Sequence, residues 1–453
     1  MQFTAGIARR VITPPAHVEL AGLGYYLGRK GERTRDDLTA TGLVIGDQES
    51  YLALAAVDLM YNDARFTSKV RGRVAAETDI APSAICVNCS HTHNAPTAGL
   101  IIGAGERDFA YLDCAADAAA DAIIQARRNA KPARLFFGQA ELAGMTFNRT
   151  RENGPTDNRT GVLRIDTLEG KPLAALVNFH SHCTAHMEVD LNAVSRDWPG
   201  EVVDHLEAAW SGCTALYVQG ACGDVNFRRE FNGTERRFEP GRAVASVALG
   251  ALKNARPIEA CGVSFISERV ALPTRRWTRE EIDRDRQEGL YRLRTGDSSG
   301  WLHGVARVCV NQPERLPLRY GGSVEKAVAA VSRFAIEWTE AILPELVTRP
   351  QTILTEVQVF RIGDVCLVAN PAELFASLGL EVRGQWGNEN LLMLGYSNGS
   401  IGYLPDAYEI ARGGYAAIQS PKFTAQFPFV DGSGRNMVEG IIRLLERLSS
   451  PKR

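Results

Sequence analysis

Five of the eight histidines in this 453-residue chain fall in two short runs, CSHTHNAP at 89–96 and VNFHSHCTAHM at 177–187. Imidazole is a frequent metal ligand and the side chain that changes charge near neutral pH. In a strand, residues two apart point to one face, so His91 shares a face with His93, and His180 with His182. Each pair ends an apolar run and begins a loop, where binding and catalytic residues concentrate. Two such pairs suggest a shared metal site. Hydrogen-bonded core histidines explain the same spacing, and at this level both explanations stay open. His186 lies past the strand end, and with His180 it is a candidate to touch a substrate. His17, His205 and His303 read as ordinary surface or satisfied residues.

Other polar residues sit in similar settings. Glu373 follows the strand-like DVCLVAN and opens the helix-like ELFASLGLEV, so it is expected in a first helical turn. There it either ligates a metal or simply complements the helix dipole. GACGDVNF at 220–227 is a strand running into a glycine-flanked turn with Asp224 and Asn226. LMLGYSNGSIGYLPDAY at 392–408 carries Tyr396, Tyr403 and Tyr408. Asp58 ends the strand in AAVDLM, placed to orient a metal-bound histidine or to hold a turn.

The elements that must position these residues alternate between strand and helix. ATGLVIGDQESYLALAAVDLM, GVLRIDTLEGKPLAALVNFHSH and TILTEVQVFRIGDVCLVAN each read as a hairpin about a short turn. ARFTSKVRGRVAAETD, FAYLDCAADAAADAIIQARRNA, PGEVVDHLEAAW and the final MVEGIIRLLERL read as amphipathic helices. From about 273 to 347 the character changes to a densely charged run and a long amphipathic helix, expected as a helical insertion. Its charges read as a solvated helix face, with Arg275 and Arg276 as candidates to shape a polar pocket. The expected fold is α/β, with mixed β-sheets flanked by helices in one large catalytic domain over 1–453.

Composition narrows the function classes. Apolar residues make up 45% and charged residues 23%, with a formal net charge of −2. No basic stripe or aromatic-plus-arginine run points to nucleic acid, and no apolar run reaches membrane-span length. The N-terminal MQFTAGIARRVITPP has no apolar signal core, which gives a cytoplasmic expectation. The nine cysteines read as reduced, mostly buried thiols. Cys86-x-x-Cys89 has no second matching pair and lies in a strand pattern.

Taken in order, several pieces resemble the neutral (non-lysosomal) ceramidase family. They are AGIARRVITPP, AAVDLM, SHTHNAP, FNRT, VNFHSHCT, QGACGDVNF, NPAELFASLG and GYSNGSIGYLPDAYEIARGGY, spanning about residues 4–416. The resemblance implies a zinc amidase site with His91, His182, Glu373 and Tyr403 as ligands. It implies Tyr415 as a carbonyl-polarising group, Arg149 near the same centre, and His93 in an outer or proton-handling role. In that family the turn matching GDVNF carries a serine, where this chain has Asn226. An amide side chain cannot be a nucleophile or general base, but it can orient substrate or donate to an oxyanion. No counterpart of the family's C-terminal immunoglobulin-like domain is expected.

These readings lead to an expected zinc-dependent hydrolase of an amide-type bond in a soluble small molecule, with zinc-activated water as nucleophile. No nucleic-acid or membrane partner is expected, and the oligomeric state is not legible. Two rivals stand beside it: hydrolysis of an ester or lactone or chemistry on a sugar-like substrate, and a non-catalytic binding protein on the same fold.

Overall fold

The computed structural model describes residues 2–47, 49–187, 189–259, 262–307 and 313–449. Among them, a nine-stranded mixed sheet forms the centre of the molecule. Its main path runs Thr214–Gln219, Pro172–Phe179, Arg159–Thr167, Lys131–Glu141, Phe3–Val11, Thr39–Gly46, Tyr51–Val57, Ile85–Cys89. The interior pairings are antiparallel, and the two outermost pairings are parallel. The three expected hairpins are present, two in this sheet and one in a second.

The second sheet has four strands, Val263–Pro273, Thr352–Ile362, Val365–Ala369 and Leu391–Leu394, of which the last two are parallel. The strands of the large sheet read as continuous apolar runs because both faces are covered. Ala53, Ala55 and Val57 face the helices Ala64–Glu77 and Phe109–Arg128, while their neighbours Leu52 and Leu54 face the second sheet. Ala175 and Val177 likewise face the helices Asp197–Ala209 and Glu239–Lys253, and Leu176 faces the second sheet. The far side of the second sheet is covered by Ala376–Trp386 and Ser433–Ser449. The layers are therefore helix, sheet, sheet, helix.

Pro273 and Thr352 are register partners, so the chain between them leaves and re-enters one antiparallel pair. This excursion carries the helices Arg279–Thr295 and Val324–Ile342. The first opens on a capping box of Thr278 with Glu281 and closes on Gly296 at φ 72°, a left-handed stop that suits glycine. The excursion has its own core of Trp277, Trp301, Phe334 and Trp338, which also takes in Tyr25 and Phe427. Lys422 Nζ reaches Asp285 Oδ2 at 2.6 Å inside it. Arg275 pairs with Glu281, and Arg276 donates to the Val347 and Arg349 carbonyls. Both arginines are thus engaged within the excursion and do not line the histidine cluster.

No described helix is long and apolar enough to cross a membrane. Cys86, Cys89, Cys183, Cys213, Cys222 and Cys366 are buried free thiols, and Cys114 is exposed. Cys261 and Cys309 lie outside the described residues.

Candidate metal centre

The parallel pairings decide where the chemistry gathers. In α/β sheets, ligand sites form beyond the carboxyl ends of parallel strands. Here three parallel pairs, two in the large sheet and one in the second, end at Val57 and Cys89, Phe179 and Gln219, and Ala369 and Leu394. His91, His182, Cys222, Glu373 and Tyr396 follow those ends within a few residues. Asn88 ties three of them together, donating to the Gly395 carbonyl at 2.6 Å and accepting from Gln219 N at 2.9 Å. A parallel bridge between Thr92 and Cys183 joins the two histidine loops laterally.

Glu373 and Tyr403 are brought together differently. Glu373–Leu374 and Tyr403–Leu404 form a two-stranded parallel ribbon in which Glu373 is opposite Tyr403. Glu373 is therefore in an extended segment, and the helix begins only at Ala376. This corrects the expectation of a first-turn helical glutamate. Gly223 is needed beside the ribbon, because a Cβ there would lie 2.4 Å from the Glu373 carbonyl oxygen.

Four polar atoms converge. Glu373 Oε2 lies 3.5 Å from His91 Nε2 and 3.3 Å from His182 Nε2. The Tyr403 hydroxyl is 3.3 Å from His182 Nε2. Four ligands around a tetrahedral ion with bonds of about 2.0–2.1 Å stand about 3.3–3.4 Å apart. The three separations here, 3.3, 3.3 and 3.5 Å, are close to that spacing.

The tautomers agree with that reading. His91 Nδ1 is 3.0 Å from the Met60 carbonyl, and His182 Nδ1 is 2.8 Å from the Cys222 carbonyl. A carbonyl only accepts, so each Nδ1 carries the proton and each Nε2 presents a lone pair. Two lone pairs thus face one carboxylate oxygen in a site where His91, His182 and Glu373 are at most 1% exposed. Lone pairs converging on a carboxylate oxygen in a dry site are the arrangement that suits a cation between them. Burial keeps these imidazoles neutral, pushing His91 down to about 3 and His182 well below its ordinary value.

His93 joins the cluster. Its Nε2 is 3.2 Å from His91 Nε2, and ligand nitrogens of His91, His93 and His182 all lie within 4.8 Å of one another. The strand-alternation argument for that meeting does not hold, since the strand ends at Cys89 and His91 has a left-handed φ of 63°. Such a φ on a non-glycine residue marks an imposed geometry. The same argument fails outright for His180 and His182, both past the strand end at Phe179. His180 turns away to accept from Ala221 N at 3.0 Å, with Nε2 3.7 Å from Asp157. His186 packs on Phe238, with Nε2 3.0 Å from Glu201.

Arg149 comes from the loop beyond the short strand Thr146–Asn148, which pairs with Val225–Phe227. It donates to the Tyr403 hydroxyl at 2.6 Å and lies 3.3 Å from His182 Nε2. Burial alone lowers its pKa, but Tyr403 and Glu373 more than reverse that, so it stays charged. Burial raises the Tyr403 phenol well above its ordinary value, with Arg149 opposing. The Tyr415 ring meets that of Tyr403 at 5.8 Å and 75°. Arg149, Tyr403 and Tyr415 are half-buried, which makes theirs the open side of the centre.

Asn226 is on the neighbouring strand, and its described side-chain contact is Nδ2 to Thr184 Oγ1 at 3.4 Å. Asp58 accepts from Thr39 N at 2.9 Å and from Thr39 Oγ1 at 2.8 Å, so it fastens the start of the neighbouring strand, where the sequence suggested a turn or a histidine as its partner. Tyr408 stacks under Arg151 and is 46% exposed, away from the cluster. Spacing arguments passed over Tyr61, which donates to Glu373 Oε1. Its position just after the strand end at Val57 was the available signal.

A helix–sheet–sheet–helix sandwich with a buried histidine, glutamate and tyrosine cluster at its parallel strand ends defines the class of this protein. Comparison with solved structures gives that architecture a name: this is the fold of neutral ceramidase. The crystal structure of neutral ceramidase from Pseudomonas aeruginosa superposes with a TM-score of 0.70 at 17% identity, covering 100% of this chain and 76% of that one. A ceramidase complexed with C2 gives the same values. In sequence, neutral ceramidase A of Dictyostelium discoideum is 28% identical over 122 residues, which covers 22% of this chain and 17% of the relative. No family model matches the chain. The resemblance read from the motifs is therefore met in both sequence and fold.

Proposed function

We propose that this protein is a metal-dependent hydrolase of an amide-type bond in a small, soluble molecule. The carrying observation is the pair of Nε2 lone pairs aimed at Glu373 Oε2, with Tyr403 beside them. His91, His182, Glu373 and Tyr403 would hold the ion, and the mixed nitrogen–oxygen donor set suits zinc. When bound, zinc supplies Lewis acidity, lowers the pKa of water to about 7 and favours the phenolate of Tyr403. The likeness to neutral ceramidases supports the amide as the bond attacked.

The remaining roles follow from position. Arg149 holds the Tyr403 oxygen and places positive charge where negative charge develops on a carbonyl oxygen. Tyr415, across the ring of Tyr403, supplies a hydroxyl on the open side of the same centre. His93 is a neutral imidazole beside His91, because burial holds its pKa well below the ordinary value, and its position suits it to pass a proton on rather than to keep one. Asn226 cannot act as a nucleophile, so the water route needs no covalent acyl-enzyme. Its amide is left to orient substrate.

The test is direct. Purified protein is assayed for bound zinc and for hydrolysis of a panel of N-acyl amides alongside matched esters. Zinc at one equivalent and amide turnover, both lost in H182A, are expected. Metal and turnover unaffected by H182A would sink the proposal.

A further inference from the structure

Three residues beyond the strand Tyr51–Val57 touch two of the candidate ligands. The Leu59 carbonyl accepts from His91 N at 3.1 Å, and the Met60 carbonyl takes the Nδ1 proton of His91 at 3.0 Å. The next residue, Tyr61, donates its hydroxyl to Glu373 Oε1. The other carboxylate oxygen, Oε2, is approached by the Tyr396 hydroxyl only at 3.5 Å. Oε2 is also the oxygen that faces both imidazoles.

A carboxylate can offer a metal one oxygen or both. An oxygen whose lone pair is taken by an O–H donor is less free to bind the ion, which leaves the other as a single-point ligand. We infer that Tyr61 is a positioning residue that makes Glu373 a one-oxygen ligand through Oε2. It thereby keeps a coordination position open for water or for the substrate's carbonyl oxygen. This inference rests on the metal-centre reading above. Tyr61 itself touches no reacting atom; it acts through Glu373, as hydrogen bonds to ligating carboxylates do generally.

The experiment compares wild-type, Y61F and Y396F proteins. Zinc affinity is read by competition with a chromophoric chelator, and coordination by the visible spectrum of the Co2+-loaded forms. Y61F is expected to bind zinc about 10–100-fold more weakly. Its Co2+ bands should lose intensity as the second glutamate oxygen raises the coordination number. Y396F leaves the Oε1 bond in place and should lose less affinity. Wild-type affinity with an unchanged Co2+ spectrum in Y61F overturns the inference while leaving the metal centre standing. An equal or larger loss in Y396F also overturns it. Wild-type protein that binds no divalent metal removes both the metal-centre reading and this inference.

Discussion

Replacing Glu373 with glutamine should move metal affinity and metal-free stability in opposite directions. In the metal-free protein Glu373 Oε2 confronts His91 Nε2 at 3.5 Å and His182 Nε2 at 3.3 Å, an acceptor against two acceptors. E373Q keeps an oxygen for Tyr61 and puts an amide N–H2 where Oε2 was, facing both lone pairs. One or two new hydrogen bonds at about 1 kcal/mol each should raise metal-free stability. The metal loses its anionic ligand in a site where the carboxylate is 1% exposed. Removing one partner of a buried charge pair costs about 3–5 kcal/mol. At about 1.4 kcal/mol per decade, zinc affinity should fall by roughly two to three and a half orders of magnitude. Chelator competition measures the second quantity, and thermal unfolding in excess EDTA measures the first. E373Q binding zinc within tenfold of wild type, or unfolding at a lower temperature than wild type without metal, would refute the reasoning.

Acid should destabilise the metal-free protein through its buried imidazoles. Burial lowers His91 to about 3 and His180 to about 4. The unfolded chain takes up these protons below about pH 6.5, so the stability is complete above that pH and drains away as pH falls toward the folded values. At about pH 4.5 each group costs on the order of 2–3 kcal/mol. Urea midpoints across that range check this, and H180N should flatten the slope; a midpoint indifferent to pH contradicts it. In the helical excursion, Lys422 and Asp285 are 3% and 6% exposed and 2.6 Å apart, with Arg307 on the other Asp285 oxygen at 3.0 Å. K422M should destabilise by about 2 kcal/mol, since Arg307 still partners the aspartate. Denaturant unfolding reads it, and an unchanged midpoint would show that the pair contributes nothing.

Much of the fold was legible because it is local. The three hairpins followed from paired apolar runs about GDQ, LEGK and IGD, and the helices from their apolar spacing and caps. The site was legible in a coarser sense. Histidine runs at strand ends pointed to loops that meet, and motif resemblance singled out His91, His182, Glu373 and Tyr403, which lie close together. The argument from strand alternation was less successful. It paired His180 with His182, yet the pleat that justifies alternation ends at Phe179. Beyond that point the turn dihedrals aim each side chain separately, and they send His180 toward Asp157.

The sequence by itself determined which segments are strands, which are helices, and which loops hold polar residues, since these follow from near-neighbour periodicity and turn chemistry. The tertiary structure decided the rest: which strand ends meet, that Glu373 faces Tyr403 across a parallel ribbon, and that Tyr61 reaches Glu373 Oε1 from 312 positions away in the chain. Those contacts depend on how two sheets stack and on the carbonyls that fix each imidazole's proton. No pattern within a single segment encodes either.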